Sequence, residues 1–203
     1  TDRRVARKIL SAYLNLLTIY PDQPYGQPPV LHPIDGLPIV TPPDLADFDS
    51  HFAKEVKTLE IVKEKVANGG RVIIYTSWTR TDSQDKLLKL LREEGIKTDV
   101  LLPRITPEKR EEWVEKRVSA GLQVLITNPK CVETGLDLNA FTTLIFYSMG
   151  YNLFTLRQAS RRSWRINQTA PRVEVYLPVG SEPLVKLGDA PVGNQTVIAN
   201  LKP

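Results

Sequence analysis

The sequence has one cysteine, Cys131, and two histidines, His32 and His51. A single thiol excludes a disulfide framework and a cysteine-built zinc site, and neither histidine has a second plausible ligand beside it. A reducing compartment fits. Charge of one sign is also lacking: 27 Lys and Arg against 23 Asp and Glu leave a net charge of +4. Bulk electrostatics therefore does not demand a nucleic-acid partner, and any basic site must be local. No apolar run approaches the length of a membrane span, and the opening "TDRRVARKIL" is not a secretory signal. Two nucleotide motifs are missing as well, the G-x-x-x-x-G-K-[ST] phosphate loop and a D-E-x-H-like box. The chain opens on Thr rather than Met and reads as a fragment of a longer protein.

The remaining absence is local. Between Asp137 and Glu174 there is no Asp or Glu, yet this interval holds Arg157, Arg161, Arg162, Arg165 and Arg172. Four of them fall within nine residues of "RQASRRSWRINQ", residues 157–168. Like charges four residues apart cost a few tenths of a kcal/mol each on a helix, so a solvated face normally mixes signs. In a helix Gln158, Arg162 and Arg165 share one face, and Arg157, Arg161 and Arg165 form a neighbouring stripe. Arginine rather than lysine suits forked hydrogen bonding to phosphate. The pattern points to an anion supplied from outside the sequence; the plainer alternative is a basic solvated face.

The rest is globular: 203 residues, 41% apolar and 25% charged, enough for one ordinary domain with extensions. Residues 3–20 have helical periodicity through Val5, Ile9, Ala12, Leu16 and Ile19. Residues 21–43 hold eight of the sixteen prolines, which argues against regular structure and for a linker or an arm lying on a partner surface. Helical spacing returns over residues 51–67. From there strands and helices alternate. Strands are expected at "RVIIYT" (71–76), "IKTDVLL", "LQVLITN", "FTTLIFYS" and "RVEVYLP", and helices at 83–95, 106–121 and 152–166. Thr106 is a possible N-cap with Pro107 behind it, and Gly95 and Gly121 close two helices. Apolar runs alternating with amphipathic helices predict an α/β fold with a parallel sheet. The expected division is an arm over 1–50, the α/β lobe over 51–180 and an extension over 181–203.

In such sheets chemistry gathers beyond the carboxyl ends of the strands. "TSWTRT" (76–81) follows the first strand, and its hydroxyls and free backbone N–H groups suit phosphate, although helix capping uses the same residues. "TNPKCVETGLDLN" (127–139) follows the third. There Thr127, Thr134 and Gly135 would let a phosphate approach, and Asp137 would orient a ribose or an arginine; a turn glycine and a helix cap are the simpler alternatives.

Taken in order, "VIIYTSW", "VLITNPKCVETGLDLN" and "LRQASRRSWRINQ" resemble motifs IV, V and VI of superfamily-2 helicases and translocases, and the last is most similar to the Swi/Snf-like branch. The match covers about residues 55–178. Arg161, Trp164 and Asn167 depart from that branch's usual pattern. The resemblance implies the second RecA-like lobe of a two-lobe motor, with helices on both faces of its sheet. It implies that ATP and Mg2+ are held mainly by an N-terminal RecA-like lobe of the same polypeptide. Arg162 and Arg165 would be arginine fingers supported by Gln158, and Gly135 and Asp137 would lie at the lobe interface. Thr76, Ser77, Trp78, Thr127 and Thr134 would contact the backbone of DNA, with RNA as the alternative. It further implies that this chain alone is inactive as an ATPase. A cytoplasmic protein of bacterial or phage source fits, with no membrane partner. Two other readings remain: a nucleic-acid-binding module that kept the fold and lost the motor, and an unrelated nucleotide-using α/β enzyme such as a transferase.

Overall fold

The computed structural model of the chain describes residues 3–78, 81–132, 136–148, 155, 158–159, 174–176, 181–183 and 199–201. Its centre is a five-stranded sheet in the order β4-β5-β3-β6-β7, every neighbouring pair parallel. The strands are β3 (Val72–Tyr75), β4 (Thr98–Leu101), β5 (Val124–Thr127), β6 (Thr143–Phe146) and β7 (Glu174–Tyr176). All of β3, β5 and β6 is buried, which is why their sequences are continuous apolar runs rather than alternating ones.

Alternation along the strands divides the core in two. Ile73, Tyr75, Leu125, Leu144 and Phe146 face one side, where they meet Val114 of α4 (Pro107–Ser119) together with Val132, Leu138 and Phe141. Val72, Ile74, Val124, Ile126 and Ile145 face the other side. There they meet Val62 of α2 (Ala53–Ala67) and Leu87 and Leu91 of α3 (Ser83–Glu93). The sheet is thus sandwiched by helices, the α/β architecture read from the sequence. Gly95 at φ +74 and Gly121 at φ +89 take the left-handed conformation that ends α3 and α4. Beyond each, Ile96 N–H returns to Leu91 C=O at 3.0 Å and Leu122 N–H to Arg117 C=O at 2.9 Å. Thr106 occupies the N-cap position of α4, but its side chain makes no capping hydrogen bond.

The N-terminal helix α1 (Arg3–Ile19) forms as expected, and none of its residues is buried. The proline-rich stretch after it departs from the expectation. It contains a short antiparallel pair, β1 (Val30–Leu31) and β2 (Pro38–Val40), turned at Gly36 with His32 N–H donating to Leu37 C=O at 2.8 Å. Each strand needs only two or three residues, so both fit among the prolines, and Pro38 stands at the start of its strand, where proline is tolerated. This segment also docks on its own lobe. The Gln23 side-chain oxygen accepts from Asp82 N–H at 2.7 Å, taking up a backbone donor at the start of α3, and Tyr25 hydroxyl donates to Asp82 at 3.3 Å. After Gly180, β8 (Ser181–Pro183) and β9 (Ala199–Leu201) pair antiparallel.

Candidate functional site at the carboxyl end of the sheet

Strand order reverses around β3. The chain builds β4 and β5 on one side of it, then β6 and β7 on the other. The crevice beyond the carboxyl ends of β3, β5 and β6 is therefore the switch point where ligands of open α/β sheets bind. Thr76, Ser77 and Trp78 leave β3 here, Thr127 and Asn128 leave β5, and Tyr147 and Ser148 leave β6.

These ends are tied to one another. Ser77 N–H donates to the Ser148 hydroxyl at 2.7 Å, and the Ser77 hydroxyl donates to Ser148 C=O at 2.9 Å. Asn128 reaches across from β5 with its amide donating to Ser77 C=O at 3.0 Å, while its oxygen accepts from Lys130 N–H, starting a single 3-10 turn at Pro129–Cys131. Thr76 N–H continues the ladder to Thr127 C=O at 3.0 Å. The turn after β3 is thus fixed from both sides.

The side chains named from the sequence divide sharply. Thr76 and Thr127 are both fully buried. The Thr76 hydroxyl accepts from Gln84 at 2.7 Å and that of Thr127 donates to Leu101 C=O at 3.1 Å, so both are engaged inside the fold. Ser77 and Trp78 are half-buried at the mouth, and the Trp78 indole N–H is buried without a hydrogen-bond partner. Asp137 is exposed, held between the buried Leu136 and Leu138. Gln158 is helical and half-buried beside Ala159, whose C=O accepts from Tyr75 hydroxyl at 3.2 Å. Tyr75 also stacks on Phe146 with ring centroids 5.1 Å apart. The start of the arginine-rich stretch is thereby seated on the sheet next to the crevice. Thr134, Gly135, Arg162 and Arg165 lie outside the described residues.

Sequence reasoning did not single out Ser148, Asn128 or Gln84. The signal for the first two was available, since both directly follow a strand at its carboxyl end. Gln84 sits eight residues beyond Thr76 on α3, a distance that only the fold closes.

Cys131 lies under the site, 3% exposed, with burial pushing its thiol up from the ordinary range. Its C=O accepts from the Arg110 guanidinium at 2.9 Å. The thiol is expected to react with Ellman's reagent on the order of a hundredfold more slowly in the native chain than after denaturation, because attack needs an exposed thiolate. Equal rates would show that this face of the core opens freely.

The family model of the helicase conserved C-terminal domain matches residues 53–167. An uncharacterized ATP-dependent helicase of Mycoplasma pneumoniae is 30% identical over 125 residues, covering 61% of this chain and 12% of that protein. The chromatin-remodeling ATPase INO80 of Aspergillus terreus is 26% identical over 158 residues, covering 75% of this chain and 9% of that protein. The chain thus spans about a tenth of the length of these curated relatives. A separate stretch of 31 residues is 68% identical to the phosphatidylserine decarboxylase proenzyme of Phocaeicola vulgatus; at 15% of this chain it does not assign a family. Among solved structures, the C-terminal part of the Fun30 ATPase domain superposes with a TM-score of 0.54 over 65% of this chain and 44% of that one, at 21% identity, a likeness of fold. With motifs IV to VI in order on a RecA-like sheet, the chain belongs to the helicase conserved C-terminal domain family, as a superfamily-2 C-terminal lobe close to the Swi/Snf-like ATPases.

Proposed function

We propose that this chain is the C-terminal motor lobe of an ATP-dependent DNA translocase, which supplies arginine fingers to ATP bound on a separate N-terminal lobe and grips the nucleic-acid backbone at the crevice. The observation that carries this reading is the arginine run 157–165 with no acid between Asp137 and Glu174. Its natural counter-charge is a triphosphate, with Arg162 and Arg165 at the γ-phosphate and Gln158 supporting them. Such arginines stabilise the charge that spreads over the transferred phosphoryl group. A guanidinium set suits phosphate and not a metal ion. The Mg2+ that neutralises the nucleotide would thus be held by acids of the other lobe, and this lobe alone would not turn ATP over.

The nucleic-acid strand would meet Ser77, Trp78 and Thr134 at the mouth, with Gly135 and Asp137 beside it toward the nucleotide. Thr76 and Thr127 would serve the same contact from below, by fixing the strand ends that carry those residues. Backbone contacts of this kind read no sequence, as a translocase requires. Residues 1–50 would connect to the first lobe and residues 181–203 extend beyond the motor. A cytoplasmic protein of bacterial or phage source remains part of the proposal.

ATP turnover of the full-length protein is expected to rise several-fold or more with double-stranded DNA. Stimulation by RNA alone would reassign the substrate. Binding without stimulation by either would favour the module that kept the fold and lost the motor.

A further inference from the structure

The crevice is reached from behind by a group that the motifs do not include. Asp22, in the first turn beyond α1, is 2% exposed. Its N–H donates to Ile19 C=O at 2.9 Å, so its position follows the end of α1. Its carboxylate pairs with Lys54 of α2, whose ammonium also lies 4.4 Å from the centre of the Tyr147 ring. The second carboxylate oxygen is buried without a partner of its own. Against this carboxylate lies the Ser148 side chain, which together with Lys54 favours its ionised form, although burial as a whole opposes it.

Ser148 is the residue that holds the turn after β3. Its hydroxyl oxygen accepts from Ser77 N–H at 2.7 Å, and its single proton is then free for an acceptor on the other side. The acceptor at hand is Asp22. A carboxylate in that role is the stronger kind of acceptor: it orients the hydroxyl and polarises the oxygen that Ser77 N–H meets. The sequence of groups runs from α1 through Asp22 and Ser148 to Ser77, and it crosses from the N-terminal arm to the mouth of the crevice within a buried environment.

We propose that Asp22 is a positioning residue that sets the 76–78 turn through Ser148, so that affinity for the nucleic-acid backbone depends on how the N-terminal arm is seated. This rests on the reading above that the turn contacts nucleic acid. An amide at position 22 would be a weaker acceptor, and its NH2 would compete with Ser77 N–H for the Ser148 oxygen. The arm carries a natural comparison in Asp44, an exposed carboxylate that accepts from Gly26 N–H at 2.7 Å and is not part of this route.

The test uses the full-length protein as wild type, Asp22→Asn, Ser148→Ala and Asp44→Asn. Two readouts are taken: ATP turnover against double-stranded DNA concentration, and amide hydrogen exchange by mass spectrometry at residues 76–78. Asp22→Asn and Ser148→Ala are each expected to raise the DNA concentration for half-maximal stimulation by roughly fivefold, with the maximal rate within about twofold of wild type. Combining them should add little, as for residues of one linked set. Exchange at 76–78 should quicken in both, and Asp44→Asn should match wild type in both readouts. Unchanged exchange in Asp22→Asn overturns the proposal, as does an equal effect of Asp44→Asn, which would make the cause general loosening of the arm. If wild type shows no DNA stimulation, the functional reading fails, and exchange alone still decides whether Asp22 sets the turn.

Discussion

Replacing Arg165 by alanine in the full-length protein is expected to lower nucleic-acid-stimulated ATP turnover by at least a hundredfold, while DNA binding is kept. Arginine fingers contribute on the order of 10³ to 10⁵ in rate where they have been removed or supplied in trans, because they meet charge that develops only in the transition state. Arg165 belongs to both helical faces drawn from the sequence, the one with Gln158 and Arg162 and the one with Arg157 and Arg161. No acid occurs within 27 residues before it or eight after it, so the sequence offers it no local counter-charge. An interaction made in the transition state lowers kcat and kcat/KM together; one made equally to bound ATP raises KM alone. The first pattern assigns the finger role. The second reduces Arg165 to a nucleotide-binding charge, and wild-type kinetics would return it to a basic surface. Arg165→Lys separates charge from geometry. Lysine keeps the charge without the planar fork, so most of the loss should persist.

The fold was legible because the signals that carry it are local. The runs "VIIY", "VLIT" and "TLIF" are strands buried on both faces, and no helical pattern competes with them. The glycines after α3 and α4 punctuate at the expected places. The crevice was legible for a topological reason: once the strands are parallel, the residues at their carboxyl ends must meet. Which of those residues offer their side chains to a ligand was not legible. Thr76 and Ser77 are adjacent and chemically alike, yet one hydroxyl turns inward to Gln84 and the other to the backbone of Ser148. That choice follows from the strand's alternation and from partners distant in sequence, neither of which a hydroxyl-rich motif reveals. The arm was misread for the opposite reason. Proline density excludes long elements, but it says nothing about docking, and docking here rests on single side chains such as Gln23, Tyr25 and Asp22 whose partners lie 32 to 59 residues away.

The same docking makes the second large effect. Glu55 and Lys86 form an ion pair at 3.1 Å with side chains 2% and 6% exposed. The other Glu55 oxygen accepts from Phe52 N–H at 3.1 Å, securing the start of α2, where the helix dipole also favours an anion. Lys86 donates to Ser50 C=O at 2.9 Å, and its ammonium lies 3.9 Å from the centre of the Phe52 ring, 5.5 Å from that of Tyr25 and 6.0 Å from that of Phe48. One cation therefore joins α3 to residues on both sides of the arm. Glu55→Ala strands that cation among aromatic rings, and losing one partner of a buried pair costs about 3–5 kcal/mol. For a chain of this size, where 1 kcal/mol moves the midpoint by roughly 2–4 °C, thermal unfolding should shift down by roughly 6–20 °C. Lys86→Met should cost less than Glu55→Ala. The remaining carboxylate keeps its backbone donor and its place at a helix N-terminus, and methionine packs among the rings. Glu55→Ala combined with Lys86→Met should be more stable than Glu55→Ala alone, since the penalty comes from an unpaired charge and not from lost attraction. A double variant as unstable as the sum of the two singles would instead make the pair's contacts independent, and the arm's seating a matter of packing alone.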